Sequence, residues 1–270
     1  MAASALSFSA GSARAARLQG IGLQMFTVRE PFQADPAGTW EKVAKIGYRE
    51  VEFGGGGYDR MDPEMLRRAI DHAGLTAPAL HASYDSLVNS FDASLTMARA
   101  LGAETVVLSH MTPEYRNPAA WTPAVAEFNR IAGKLKKAGL GFAYHNHAFE
   151  FDAQPGGLPL YEILLRDRDP ALIGFELDLY WLAKAGQDSK ALIRRLAGQI
   201  YSYHVKDMAP DGAMAAVGTG TIDFAGIFAL NHIAGVKRFF VENDRAPAPY
   251  FPDIETSFNA LNALHFQPAR

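Results

Sequence analysis

From Ile21 onward the chain alternates amphipathic stretches with short apolar runs, usually with a glycine between them. Ala44-Lys45-Ile46-Gly47-Tyr48 leads into Val51-Glu52-Phe53, and Asp71-His72-Ala73-Gly74 leads into Ala79-Leu80-His81. The unit returns before Val106, Phe142, Tyr201 and Phe239, with Gly102, Gly139, Gly198 and Gly235 at the junctions. A glycine just past a helix lets the chain turn left-handed without a Cβ penalty. Asp35-Pro36, Asp62-Pro63 and Thr122-Pro123 each place a capping oxygen before a proline suited to the first helical position, and Asp188 precedes another apolar-periodic stretch. Behind these caps, Met65, Leu66, Ala69, Ile70 and Ala73 recur at helical spacing, as do Val125, Phe128, Ile131 and Leu135. The spacing predicts strands over 21–26, 49–53, 76–81, 105–109, 141–145, 173–178, 200–206 and 238–242. Strands alternating with helices pair in parallel, and eight such units predict one closed (β/α)8 TIM barrel over residues 20–270. An open doubly wound sheet would carry a glycine-rich phosphate fingerprint after its first strand, and Gly22-Leu23-Gln24-Met25 is not one. Gly54–Gly57 lacks the Lys-Ser/Thr of a phosphate loop.

Composition narrows the chemistry more than the fold. The 270 residues carry a net charge of −3 and no long basic run, which argues against nucleic acid as the main partner. With no cysteine, disulfides, thiol nucleophiles and Cys-ligated zinc are excluded, leaving His, Asp and Glu as metal ligands. No apolar run is long enough to predict a membrane span. Residues 1–19 are Ala/Ser-rich without an acid, and Ser12-Ala13-Arg14-Ala15-Ala16 resembles the tail of an export signal. They read either as its remnant, with a periplasmic or exported protein, or as an N-terminal extension of a cytoplasmic one.

Barrel enzymes place their chemistry where strands end. The predicted strand ends carry Gln24, Glu52, His81, His110, His145, His147, Glu150, Glu176, Asp178, His204, Lys206, Asp207 and Glu242, including five of the eight histidines. Residues two apart in a strand face the same way, so Glu176 goes with Asp178, His204 with Lys206, and His145 with His147. Asp178, His204 and Glu242, from successive strands, form an oxygen/nitrogen set suited to a divalent ion, Mn²⁺ foremost, with Mg²⁺, Co²⁺ or Zn²⁺ as alternatives. Strand-end acids also occur in metal-free glycosidases.

The stretches 21–29, Tyr144-His145-Asn146-His147-Ala148-Phe149-Glu150-Phe151, Glu176-Leu177-Asp178-Leu179-Tyr180-Trp181, His204-Val205-Lys206-Asp207-Met208, 218–224 and Val241-Glu242-Asn243-Asp244 together resemble the sugar phosphate isomerase/epimerase-like proteins of the xylose isomerase-like barrel superfamily. The resemblance runs over residues 21–264 and implies a metal held by Glu, Asp, His and Glu from the fifth to eighth strands. Asp178, His204 and Glu242 match the last three. In the ketose epimerases the first Glu lies three residues before an Asn, where this chain has Ala143; Glu150 is the replacement expected, with His145 or His147 as alternatives.

The resemblance implies a small-molecule sugar or keto-sugar substrate and proton transfer beside its carbonyl, giving epimerisation, isomerisation or elimination. Glu150, Glu242 or one of His145 and His147 would move the proton. Lys206 would steady an oxygen, unless it merely pairs with Asp207. His81, His110, Trp181, Gln24 and Glu52 are the expected substrate contacts. Tyr180 and Trp181 could stack on a sugar ring, whereas Phe26 and Trp121 are read as packing. A metal-free glycosidase and a non-catalytic sugar-binding barrel are the rival readings. The pattern leaves the oligomeric state open.

Overall fold

The computed structural model describes residues 15–155 and 157–269. Eight parallel strands close into a barrel: β1 (Ile21–Gln24), β2 (Glu50–Phe53), β3 (Thr76–Ala82), β4 (Thr105–Leu108), β5 (Gly141–His145), β6 (Ile173–Asp178), β7 (Ile200–Val205) and β8 (Arg238–Val241). Each pairs with its sequence neighbours, and β1 closes on β8 with Leu23 opposite Val241. The (β/α)8 architecture expected from the alternation is the one observed.

The two-residue strand period sorts the interior into two separate cores. Outward residues such as Leu23, Val51, Val106, Phe142, Tyr144, Phe175 and Val205 join one large apolar cluster beneath the helices. Inward, Ala79, Val107, Ala143 and Phe240 form a small apolar floor. Gly22 makes room for it, since a Cβ there would lie 2.6 Å from the Phe240 ring. Everything inward and further along the strands is polar.

Helix signals mostly act as the sequence suggests. Asp35, Asp62 and Asp188 accept from the backbone amides of Gly38, Glu64 and Lys190. The expected cap at Thr122 is a correction. The helix Pro118–Lys137 begins one turn earlier, where Asn117 accepts from Ala120 N, and Pro123 lies inside it. Asn117-Pro118 is the same cap-then-proline pair, and it comes first along the chain.

The candidate export segment at residues 1–14 lies outside the described residues. Of the stretch grouped with it, Ala16 exchanges backbone hydrogen bonds with Phe266 and Leu18 is buried, so both belong to the barrel domain. Among the described residues, no helix is long and apolar enough to cross a membrane.

Candidate active site

Two polar layers stand above the apolar floor. In the lower one, three imidazoles converge on a single carboxylate oxygen. Glu176 Oε1 lies 2.7 Å from His81 Nε2, 2.9 Å from His204 Nε2 and 3.2 Å from His145 Nδ1. Its other oxygen accepts from Ser202 Oγ at 2.6 Å. Glu52 Oε2 meets His204 Nε2 at 2.6 Å and accepts from Gln24 Nε2 at 2.7 Å. Burial would strip the proton from His81, but Glu52 and Glu176 outweigh it and push its pKa up to about 9. Burial and the neighbouring His204 charge instead push His145 down to about 3. The layer therefore holds two charged imidazoles, His81 and His204, and one neutral one, His145.

The upper layer lies at the mouth. Lys206 Nζ stands 2.9 Å from Asp178 Oδ2, 2.7 Å from Glu242 Oε2 and 2.9 Å from Asp244 Oδ1. His204 turns its second nitrogen, Nδ1, to Glu242 Oε2 at 2.7 Å. Asp178 Oδ1 is occupied, capping the helix Leu179–Lys184 through Trp181 N, which leaves Oδ2 to face Lys206.

The donor set of Asp178, His204 and Glu242 fits a divalent ion. One ligand atom from each lies within 4.8 Å of the others, and all three residues are buried. Asp178 Oδ2 and His204 Nδ1 have charged neighbours at ion-pair distance, yet neither forms an aligned hydrogen bond. Asp178 Oδ2 has a lone pair suited to a shared cation, and His204 Nδ1 would give up its proton on binding one.

A cavity of about 750 Å³ opens over this layer, lined by His81, His145, His147, His110, Lys206, Glu242 and Asp244 among others. The five strand-end histidines form one chain of rings. Centroids of His204 and His145 lie 4.5 Å apart, His145 and His147 4.9 Å, His147 and His110 5.0 Å, and His81 stacks on His204 at 5.0 Å.

Other expected residues have different neighbours. Glu150 stands outside both clusters of potential ligands found among the described residues. Its oxygens accept from Tyr144 Oη at 2.7 Å and His147 N at 2.9 Å, on the outward side of β5 to which Tyr144 belongs. Ala143 is part of the floor, so β5 sends no carboxylate inward. Gln24 and Glu52 are fully buried behind His204 and hold its imidazole rather than facing the cavity. Trp181 packs on His147, with ring centroids 5.6 Å apart. Trp121 is buried against Phe128 and Tyr144, whereas Phe26 lines the cavity. Sequence reasoning gave no role to Glu176 or Asp244. The first was signalled by its two-residue spacing from Asp178, and the second had no signal beyond lying two residues past Glu242.

Asp207 is not Lys206's partner. Its carboxylate accepts four backbone amides, from Met208 at 2.8 Å, Gly218 at 2.9 Å, Gly220 at 2.9 Å and Ile222 at 3.1 Å. That single side chain ties down the loop following β7. Asn keeps one accepting oxygen, so Asp207→Asn should lose two of the four bonds. Urea unfolding should show a loss of about 1–2 kcal/mol; an unchanged midpoint would show the loop is held otherwise.

The family model described as xylose isomerase-like TIM barrel matches residues 40–244. Among curated proteins none matches. Among solved structures, a sugar phosphate isomerase/epimerase from Parabacteroides distasonis ATCC 8503 superposes with a TM-score of 0.78 at 24% identity, covering 95% of this chain and 96% of that one. The IOLI protein with a bound zinc atom superposes with a TM-score of 0.66 at 17% identity, covering 90% and 96%. An L-ribulose 3-epimerase superposes with a TM-score of 0.64 at 18% identity, covering 90% and 91%.

Proposed function

Because the chain belongs to the xylose isomerase-like TIM barrel family, we propose that it is an enzyme moving a proton beside the carbonyl of a sugar or keto-sugar, with a divalent ion held by Asp178, His204 and Glu242. The observation that carries this is the convergence of those three buried ligands, two of them with polar atoms in no aligned hydrogen bond, beside a cavity of about 750 Å³.

A divalent ion bound there would polarise the carbonyl and the neighbouring hydroxyl. With Asp178 and Glu242 turned to such an ion, Lys206, now an ammonium held among three carboxylates, would be released to donate to the oxygen on which negative charge develops. His147 lines the same cavity as a neutral imidazole, because burial and the adjacent His145 and Lys206 lower its pKa well below the ordinary value. In that form it takes the proton from carbon and returns it to the adjacent carbon, which isomerises the sugar. Glu52 and Gln24 fix the tautomer and tilt of His204. The structural likeness to a sugar phosphate isomerase/epimerase and to an L-ribulose 3-epimerase supports isomerase or epimerase chemistry.

A metal-independent form of the reaction is favoured by one observation: Lys206 already bridges Asp178 and Glu242. Metal analysis of the purified protein, then NMR of solvent deuterium entering keto-sugars before and after chelation, separates the two. Asp178→Asn and Glu242→Gln should each lose both bound metal and exchange. Exchange that survives chelation selects the metal-independent form, and no exchange in loaded wild-type protein overturns both.

A further inference from the structure

Building on that reading, we propose that the substrate is an unphosphorylated glycoside, with the reacting ring over Lys206 and Glu242 and its second group against a serine wall. The cavity continues past the barrel axis to Ser83, Ser86, Ser90 and Ser94, carried by the helices Tyr84–Asn89 and Phe91–Leu101 that follow β3. Its volume of about 750 Å³ lies high in the range of roughly 300–1,000 Å³ that encloses ligands larger than one sugar ring. Serine hydroxyls both donate and accept, which suits sugar hydroxyls without supplying charge.

The charges lining the cavity exclude a phosphate. Among the described residues they are Asp59, Asp85, Glu242 and Asp244 against Lys206 and the charged His81. Lys206 is 2% exposed and already committed to three carboxylates. His81 and His145 are committed to Glu176. Arg116, beside His110, is turned to the Met111 carbonyl and the Phe149 ring. A dianion at the serine wall would meet the like charge of Asp59 and Asp85.

The glycine loop offers no alternative anion site to be explained. Gly55 has a left-handed φ of 68°, and a Cβ on it would lie 2.6 Å from the Phe26 ring. Conformation and close packing account for that residue.

Titration calorimetry with the metal-loaded protein tests this, using methyl β-D-glucoside, cellobiose and glucose 6-phosphate as probes. Cellobiose should bind at least tenfold more tightly than glucose 6-phosphate. Ser94→Trp, which fills the outer compartment, should weaken cellobiose about tenfold more than methyl glucoside. Ser86→Arg should bring glucose 6-phosphate within threefold of cellobiose. Tighter or equal binding of the phosphorylated sugar by the wild type, equal effects of Ser94→Trp on both glucosides, or no binding of either neutral sugar overturns the inference. Glycoside binding with no deuterium exchange into any keto-sugar sinks the proton-transfer reading alone. Exchange confined to phosphorylated keto-sugars sinks this inference alone.

Discussion

Replacing Lys206 with methionine should lower deuterium exchange at least a hundredfold, about 2.7 kcal/mol of barrier, while tightening divalent-ion binding. The two effects share one cause. Nζ lies within 2.9 Å of Asp178, Glu242 and Asp244, all buried or nearly so. Methionine fills similar volume but leaves those carboxylates without their cation. Removing one partner of a buried ion pair costs about 3–5 kcal/mol, so the metal-free variant should unfold at markedly lower urea. A divalent ion then gains affinity, because no ammonium competes for Asp178 Oδ2 and Glu242 Oε2, and stability should return on loading. Exchange should not return, since the donor to the developing oxyanion is gone. A purely structural lysine predicts the opposite: metal loading would restore exchange along with stability. Exchange kinetics, calorimetric metal titration and urea unfolding on the same protein separate these outcomes.

The barrel was legible because its signals are local. A glycine with positive φ follows the helices ending near residues 73, 101 and 234, as at Gly74, Gly102 and Gly235, and each apolar run became a strand. Asp178, His204 and Glu242 were legible because consecutive parallel strands place equivalent ends side by side. What local pattern could not supply was the direction of side chains beyond a strand end. Past His145 the chain leaves the two-residue period and enters a short helical turn at Phe149–Phe151, which carries Glu150 to the outer side. Gln24 and Glu52 keep the period and do face inward, but one layer too low to reach the cavity, and depth is set by barrel stagger rather than by sequence. Asp207 escaped for a related reason. Its four partners come from residues 208–222, and nothing in a lone strand-end acid announces a loop folded back upon it.

Glu150→Gln should change how stability depends on pH more than it changes stability at any one pH. Burial raises the Glu150 pKa to about 7, although the Tyr144 hydroxyl and the His147 amide donate to the carboxylate and pull the other way. In the unfolded chain the group titrates near about 4.3. The native state therefore holds a proton that the unfolded state has released. The resulting stabilisation is complete below the unfolded value, declines as pH rises, and is gone above about pH 7. Each unit of separation is worth about 1.4 kcal/mol, so between pH 5 and 8 the wild type should lose roughly 2–3 kcal/mol through this group alone. Glutamine cannot titrate. Its unfolding free energy, measured in urea at both pH values, should gain on the wild type by that amount at the higher one, while every other titrating group cancels in the difference. A parallel pair of curves would mean that the carboxylate is ionised across the range, held by its two donors. In that case Tyr144→Phe, which removes one donor, should cost as much at pH 5 as at pH 8. If Glu150 does hold the proton up to about pH 7, Tyr144→Phe should cost more at pH 8 than at pH 5, because an ionised acceptor gains more from the hydroxyl than a neutral one.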